Sequence, residues 1–145
     1  MSRPTFVCVP GASHSPIIYD PVKSALSYYG YEVVPLGLPS VGGNPATYDF
    51  TEDVRTIRNY VAQLADTGRD VILVMHGYSG VPGGEALQAL AKSDRERRGL
   101  RGGVIRLVFI MAVSYCSLSF SSSHGLEETA SESYSVSKVS NSLII

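Results

Sequence analysis

Asp70-Val71-Ile72-Leu73-Val74-Met75, followed by His76-Gly77-Tyr78-Ser79-Gly80, is the stretch on which the fold is decided. Val71 to Met75 is apolar without alternation, which fits a short strand buried on both faces, the environment of a parallel sheet. Gly77, Ser79 and Gly80 then allow a tight turn, and the residues from Tyr78 to Lys92 are small and Ala/Leu-rich, as in a helix packed on a sheet. Pro82 falls in the first turn of that predicted helix, where a missing N–H costs little.

The same alternation extends in both directions. Upstream, Thr5-Phe6-Val7-Cys8-Val9 is a second uninterrupted strand-like run, ended by Pro10-Gly11. A helix follows, with Val22, Leu26 and Tyr29 on one face, Asp20 placed as N-cap before Pro21, and Gly30 as its stop. Tyr31 to Leu36 reads as a strand, and the Gly- and Pro-rich segment from Gly37 to Pro45 as a loop. Asp49 to Ala65 is the clearest helix: Val54, Ile57, Val61 and Leu64 share one face, Glu52, Asp53, Arg55 and Arg58 lie elsewhere, and Asp49 with Glu52 has capping-box spacing. Asp53 also suits the positive end of the helix dipole. Downstream, Gly102-Gly103 opens a strand over Val104 to Met111. Strand, helix, strand, helix, strand, helix, strand at these spacings predicts right-handed βαβ units and a mostly parallel α/β sheet.

The chain has 145 residues, enough for one domain with a core. From Ser114 onward both periodicities vanish and about a dozen residues are serine, so the expected organisation is a structured unit over 1–112 and a disordered tail over 113–145. Net charge is -1, and the basic run Arg95 to Arg101 is broken by Glu96 and Gly99, so it reads as a solvated helix end; a nucleic-acid partner is not expected. The two cysteines, Cys8 and Cys116, have no neighbours at metal-ligand spacing, which implies neither a disulfide framework nor a metal, and no cofactor is expected. No apolar run reaches the roughly 20 residues that span a bilayer, and Ser2-Arg3-Pro4 leads straight into a strand without a leader pattern, so the expected setting is cytoplasmic, away from membranes.

A strand that turns sharply into a helix lifts one side chain above the sheet and points backbone N–H groups at it, the arrangement of a nucleophile elbow. Here the sequence resembles the esterase-like α/β-hydrolases. The resemblance covers Pro4 to about Ala112 and is carried by Val9-Pro10-Gly11-Ala12-Ser13-His14-Ser15-Pro16, Leu38-Pro39-Ser40-Val41-Gly42, Asp49-Phe50-Thr51-Glu52-Asp53-Val54 and the block from His76 to Glu85. It implies the N-terminal part of an α/β-hydrolase fold, with the nucleophile at the residue after His76. That residue is Gly77, which has no side chain to attack with.

Ser79, two residues later, is the hydroxyl available as a substitute, and Gly77-Tyr78-Ser79-Gly80-Val81 nearly spells G-x-S-x-G. A two-residue shift within a helical turn rotates a side chain by roughly 200°, so the competing reading makes Ser79 a small residue filling a crowded turn. The resemblance further implies an oxyanion hole from the N–H of Tyr78 and that of Ala12 or Ser13. It assigns no triad role to His14 or His76, which read as structural. Acid and base should follow the nucleophile in chain order, yet the sole downstream histidine, His124, and the carboxylates Glu127 and Glu128 lie in the Ser-rich tail and read as solvent-exposed.

The expectation from sequence is therefore a hydrolase-related chain, truncated and catalytically impaired, whose substrate, if it is active, is a small ester or lactone. Two alternatives stand beside it: a serine hydrolase working through Ser79, and a non-enzymatic ligand- or partner-binding module. With no strand expected after Met111, the fourth strand would present an apolar edge through which the chain self-associates.

Overall fold

A computed structural model of the chain describes residues 3–43, 49–112 and 142–144. Five strands form one sheet: β1 (Thr5–Val9), β2 (Glu32–Pro35), β3 (Asp70–His76), β4 (Gly103–Ile110) and β5 (Ser142–Ile144). Their order is β2-β1-β3-β4-β5, and every neighbouring pair is parallel. The helices are α1 (Asp20–Tyr28), α2 (Thr51–Asp66), α3 (Gly80–Ala86) and α4 (Lys92–Arg97). The α/β class and the parallel sheet expected from the sequence are what the structure shows.

The two faces of the sheet are covered unequally. Val7, Val9, Val71, Leu73, Met75, Leu107 and Phe109 point to the side on which Ile57 and Val61 of α2 and Ala86 of α3 pack, and all of them are buried in one continuous core. On the opposite side Cys8, Val33 and Val74 meet Tyr19 and α1, with Leu26 the helix's contribution. This division follows from topology. The step from β1 to β2 runs one way across the sheet and the later steps run the other way, so right-handed crossovers place α1 on one face and α2 and α3 on the other.

Several local expectations need correction. Asp20 is the first residue of α1, not its cap: the helix continues from a 3-10 turn at Pro16–Tyr19. The single helix expected over Tyr78 to Lys92 is two. α3 stops at Ala86, Ala89 takes a φ of +61°, and Ala91 bridges to Val104 before α4 begins. The break is stabilised by Arg58 of α2, whose guanidinium donates to Ala86 O (3.0 Å) and Gln88 O (2.7 Å), carbonyls that a continuous helix would have used itself.

Arg95, read as part of a solvated run, is 6% exposed; it donates to Gly102 O (3.0 Å) and pairs with Asp66 (2.8 Å), tying α4 to the turn before β4. The edge of β4 is not bare along its whole length either. Ser142 to Ile144 lie alongside Leu107 to Phe109. The expected disorder of the Ser-rich tail, and with it His124, Glu127 and Glu128, falls on residues 113–141, outside the described residues.

Candidate active site

The site sits where β1 and β3 end side by side. Val9 is in register with Met75, so the loop after β1 and the turn after β3 leave the sheet together. Gly77 opens that turn with φ +54°, a left-handed value at which a side chain is strained and glycine is not. A Cβ built at Gly77 would find only Gly11 Cα within 4.0 Å. The backbone thus retains the sharp geometry of an elbow, and there is space where a nucleophile would stand. Gly11 has the opposite constraint: a Cβ there would lie 3.0 Å from His76 Nδ1 and 3.3 Å from His76 O, so the first loop approaches the elbow this closely because it is glycine.

Ser79 is fully buried. Its hydroxyl lies 2.9 Å from Val9 O and 3.0 Å from His76 O and accepts from His76 N at 2.9 Å. One hydroxyl proton serves one carbonyl at a time while a lone pair takes the amide, so Ser79 bridges the ends of β1 and β3 from inside the turn. The hydroxyl that the sequence offers as a substitute nucleophile therefore faces two backbone carbonyls within the protein interior.

Tyr78, between Gly77 and Ser79, sends its side chain the other way. Its hydroxyl donates to Asp53 Oδ2 (2.8 Å), and Asp53 also accepts from Ser40 N (3.0 Å) and Ser40 Oγ (2.6 Å). Burial, then the bond to Asp53, pushes the Tyr78 phenol up to about 12. Asp53 itself is completely buried, which corrects its reading as a residue off the packed face of α2. The three donors satisfy a carboxylate that would otherwise be costly to bury. This network joins α2, the Leu38–Gly43 loop and the elbow. The sequence signal for it was present, since Ser40, Asp53 and Tyr78 lie in three of the four blocks that carry the resemblance, but periodicity alone does not reveal an inward carboxylate.

The remaining sequence candidates gather nearby. Ala12 and Ser13 are exposed on the first loop, Ser13 with φ +61°. His14 Nδ1 lies 2.8 Å from Ala12 O, and its ring meets His76 edge to face with centroids 5.9 Å apart. His76 Nδ1 is buried against Gly11 with no hydrogen-bond partner. Among the described residues no group of three or more His, Cys, Asp or Glu is placed to hold a metal ion.

A parallel sheet with a sharp glycine turn at the C-terminal end of β3, flanked by a glycine-containing loop, defines the class as an α/β-hydrolase scaffold. The chain belongs to the alpha/beta hydrolase family, whose sequence pattern it matches over residues 6–132. It is 36% identical over 114 residues to the alpha/beta hydrolase nvfD of Aspergillus novofumigatus, an alignment covering 79% of this chain and 45% of that protein. Similarity to the probable hydrolase R7 of a Phoma species is 31% over 116 residues, covering 78% and 44%. The chain thus spans less than half the length of these curated relatives. Among solved structures it superposes on polyneuridine aldehyde esterase with a TM-score of 0.61 at 21% identity, over 78% of this chain and 42% of that one. On tomato methylketone synthase I complexed with 2-tridecanone the score is 0.59 at 21% identity, over 77% and 41%. At these identities the structural likeness speaks for the fold.

Proposed function

We propose that this chain carries the elbow half of a small-molecule esterase scaffold with the nucleophile position vacant, so that its own hydrolytic activity is absent or weak. The observation that carries this reading is the pairing of Gly77 with Ser79: the residue with elbow geometry has no side chain, and the nearest hydroxyl is buried and hydrogen-bonded to backbone. The N–H groups of Tyr78 and Ala12 remain the oxyanion-hole donors in this reading, because backbone donors survive side-chain replacement. His14 and His76 act as packing and turn residues. The substrate class to test is a small ester or lactone, and the setting to test is the cytoplasm.

The test is turnover of p-nitrophenyl acetate and of a short-chain lactone by the purified chain and by Ser79→Ala. The expected result is a rate at the level of buffer for both. Turnover above about one-thousandth of an ordinary esterase rate, lost in Ser79→Ala with the fold intact, supports instead a serine hydrolase working through Ser79. A non-enzymatic partner-binding role is the second reading, favoured by the uneven cover of the sheet among the described residues: one face holds the larger core under α2 and α3 and the other a smaller one under α1. Self-association belongs to this reading.

A further inference from the structure

The turn after β3 is held from two sides. Inside, the Ser79 hydroxyl joins it to Val9 O and to the N–H and carbonyl of His76. Outside, the Tyr78 hydroxyl donates to Asp53 Oδ2 at 2.8 Å. Asp53 stands in the first turn of α2 and is itself fixed by Ser40, whose N–H meets Oδ1 at 3.0 Å and whose hydroxyl meets Oδ2 at 2.6 Å. All three donors are uncharged, and among the described residues no Lys, Arg or His pairs with this carboxylate. A fully buried carboxylate without a cation is a costly way to join two segments. An apolar contact between α2 and the turn would stabilise as much, but the hydrophobic effect has no direction. Charge-assisted hydrogen bonds do have one, and they fix where the Tyr78 ring can lie.

The Tyr78 backbone is what the site uses. The N–H groups that open a helical turn have no partner inside it. Under the proposed function, on which this inference rests, the Tyr78 N–H is one of two donors facing the space beside Gly77. Gly77 is a poor anchor for that donor. Its φ is +54°, and glycine has no side chain whose packing resists rotation. A Cβ there would meet only Gly11 Cα, at 4.0 Å. We propose that Asp53 is a positioning residue: through Tyr78 it supplies the restraint missing at Gly77 and keeps the Tyr78 N–H directed into the vacant nucleophile position. Ser40 holds the carboxylate against rotation, so that Oδ2 stays within reach of Tyr78.

A reporter placed in the vacancy tests this. Gly77→Cys has room for its side chain, and a thiol beside directed N–H groups is more acidic than an ordinary one, whose pKa is about 8.5. Its acidity is read from the pH dependence of alkylation by iodoacetamide, followed by mass mapping of the peptide that contains position 77. Gly77→Cys is compared alone and combined with Tyr78→Phe, Asp53→Asn or Ile57→Val, with folding checked by far-UV circular dichroism. Ile57 is fully buried on the same helix, so Ile57→Val lowers stability without touching the network. Asp53→Asn is the harsher change; where it does not fold, Tyr78→Phe decides. His14 and His76 stand beside the turn and are common to every variant, so their effect cancels.

The sign separates positioning from a direct effect of charge. Removing the negative charge of Asp53 by itself favours the thiolate, whereas loss of a directed N–H disfavours it. The expected result is a thiol at least about tenfold more acidic than an ordinary one in Gly77→Cys, with or without Ile57→Val. Adding Tyr78→Phe or Asp53→Asn should reduce that acidity at least about threefold. Acidity unchanged by Tyr78→Phe overturns the proposal, makes the network a structural brace only and leaves the donors of the proposed function in place. A further gain in acidity with Asp53→Asn overturns it in favour of the direct field of the carboxylate. An ordinary thiol in Gly77→Cys alone overturns it together with those donors, so the two failures are told apart.

Discussion

Replacing Ser79 by alanine separates a structural hydroxyl from a nucleophile by the sign of two independent readouts. The hydroxyl accepts from His76 N and donates to Val9 O or His76 O. Val9 O keeps a second donor after the change, the Tyr19 hydroxyl at 3.0 Å, so little is lost there. The His76 amide loses the acceptor supplied by Ser79, and the His76 carbonyl loses a nearby donor. At about 1–3 kcal/mol for a buried polar group left unpaired, with partial relaxation of the turn, a net loss of about 2 kcal/mol is expected. For a chain of this size each kcal/mol shifts the melting temperature by roughly 2–4 °C, so a fall of about 4–8 °C follows. Urea unfolding followed by circular dichroism gives the free energy, and a serine-directed phosphonate gives reactivity. A stability change below about 0.5 kcal/mol, the level of an ordinary surface substitution, together with loss of phosphonate labelling, would refute the reasoning.

The neighbouring positions give sharper contrasts. Gly77→Ser has room for its side chain but must hold φ +54°, so it should fold with a loss of about 1–2 kcal/mol, measurable by the same urea titration; a loss above about 4 kcal/mol would mean that the space is not there. Gly11→Ala brings a Cβ to 3.0 Å from His76 Nδ1 and 3.3 Å from its carbonyl and should cost about 1–3 kcal/mol through overpacking, a larger penalty than the same change at Gly84, where nothing lies within 4 Å. Tyr78→Phe removes one donor from the buried Asp53 and should cost about 1.5–3 kcal/mol, the range for a hydrogen bond to a charged group. Because folding raises the Tyr78 phenol from its ordinary value of 10.0 to about 12, the folded state holds this proton more tightly than the unfolded chain. The associated stability is complete below pH 10 and disappears as pH rises toward 12. Tyr78→Phe should flatten that alkaline limb of the stability curve, and an unchanged limb would remove Tyr78 as its source.

Much of the fold was legible because buried parallel strands announce themselves as unbroken apolar runs. Val71 to Met75 and Val7 to Val9 needed no tertiary information, and neither did the apolar stripe of α2. The break after Ala86 was hidden, since nothing local forbids a helix there: the carbonyls at the break are taken by Arg58, 28 residues away in sequence in the case of Ala86. Asp53 was misplaced for a related reason. A carboxylate is assigned to solvent unless its donors are known, and those donors, Ser40 and Tyr78, come from two other segments. At the site, the loss of a side chain at Gly77 could be read directly from the sequence and the resemblance. That Ser79 turns inward required the geometry, because a hydroxyl two residues past the elbow is equally compatible with a cleft or an interior position until Val9 is seen beside it.

The most direct test of the vacant elbow is peptide mass mapping after treatment of the folded chain with a fluorophosphonate. The account predicts no adduct on the peptide containing Gly77 to Gly84. A stoichiometric adduct on Ser79, formed in the folded chain and abolished by unfolding, would contradict it and identify that serine as the nucleophile.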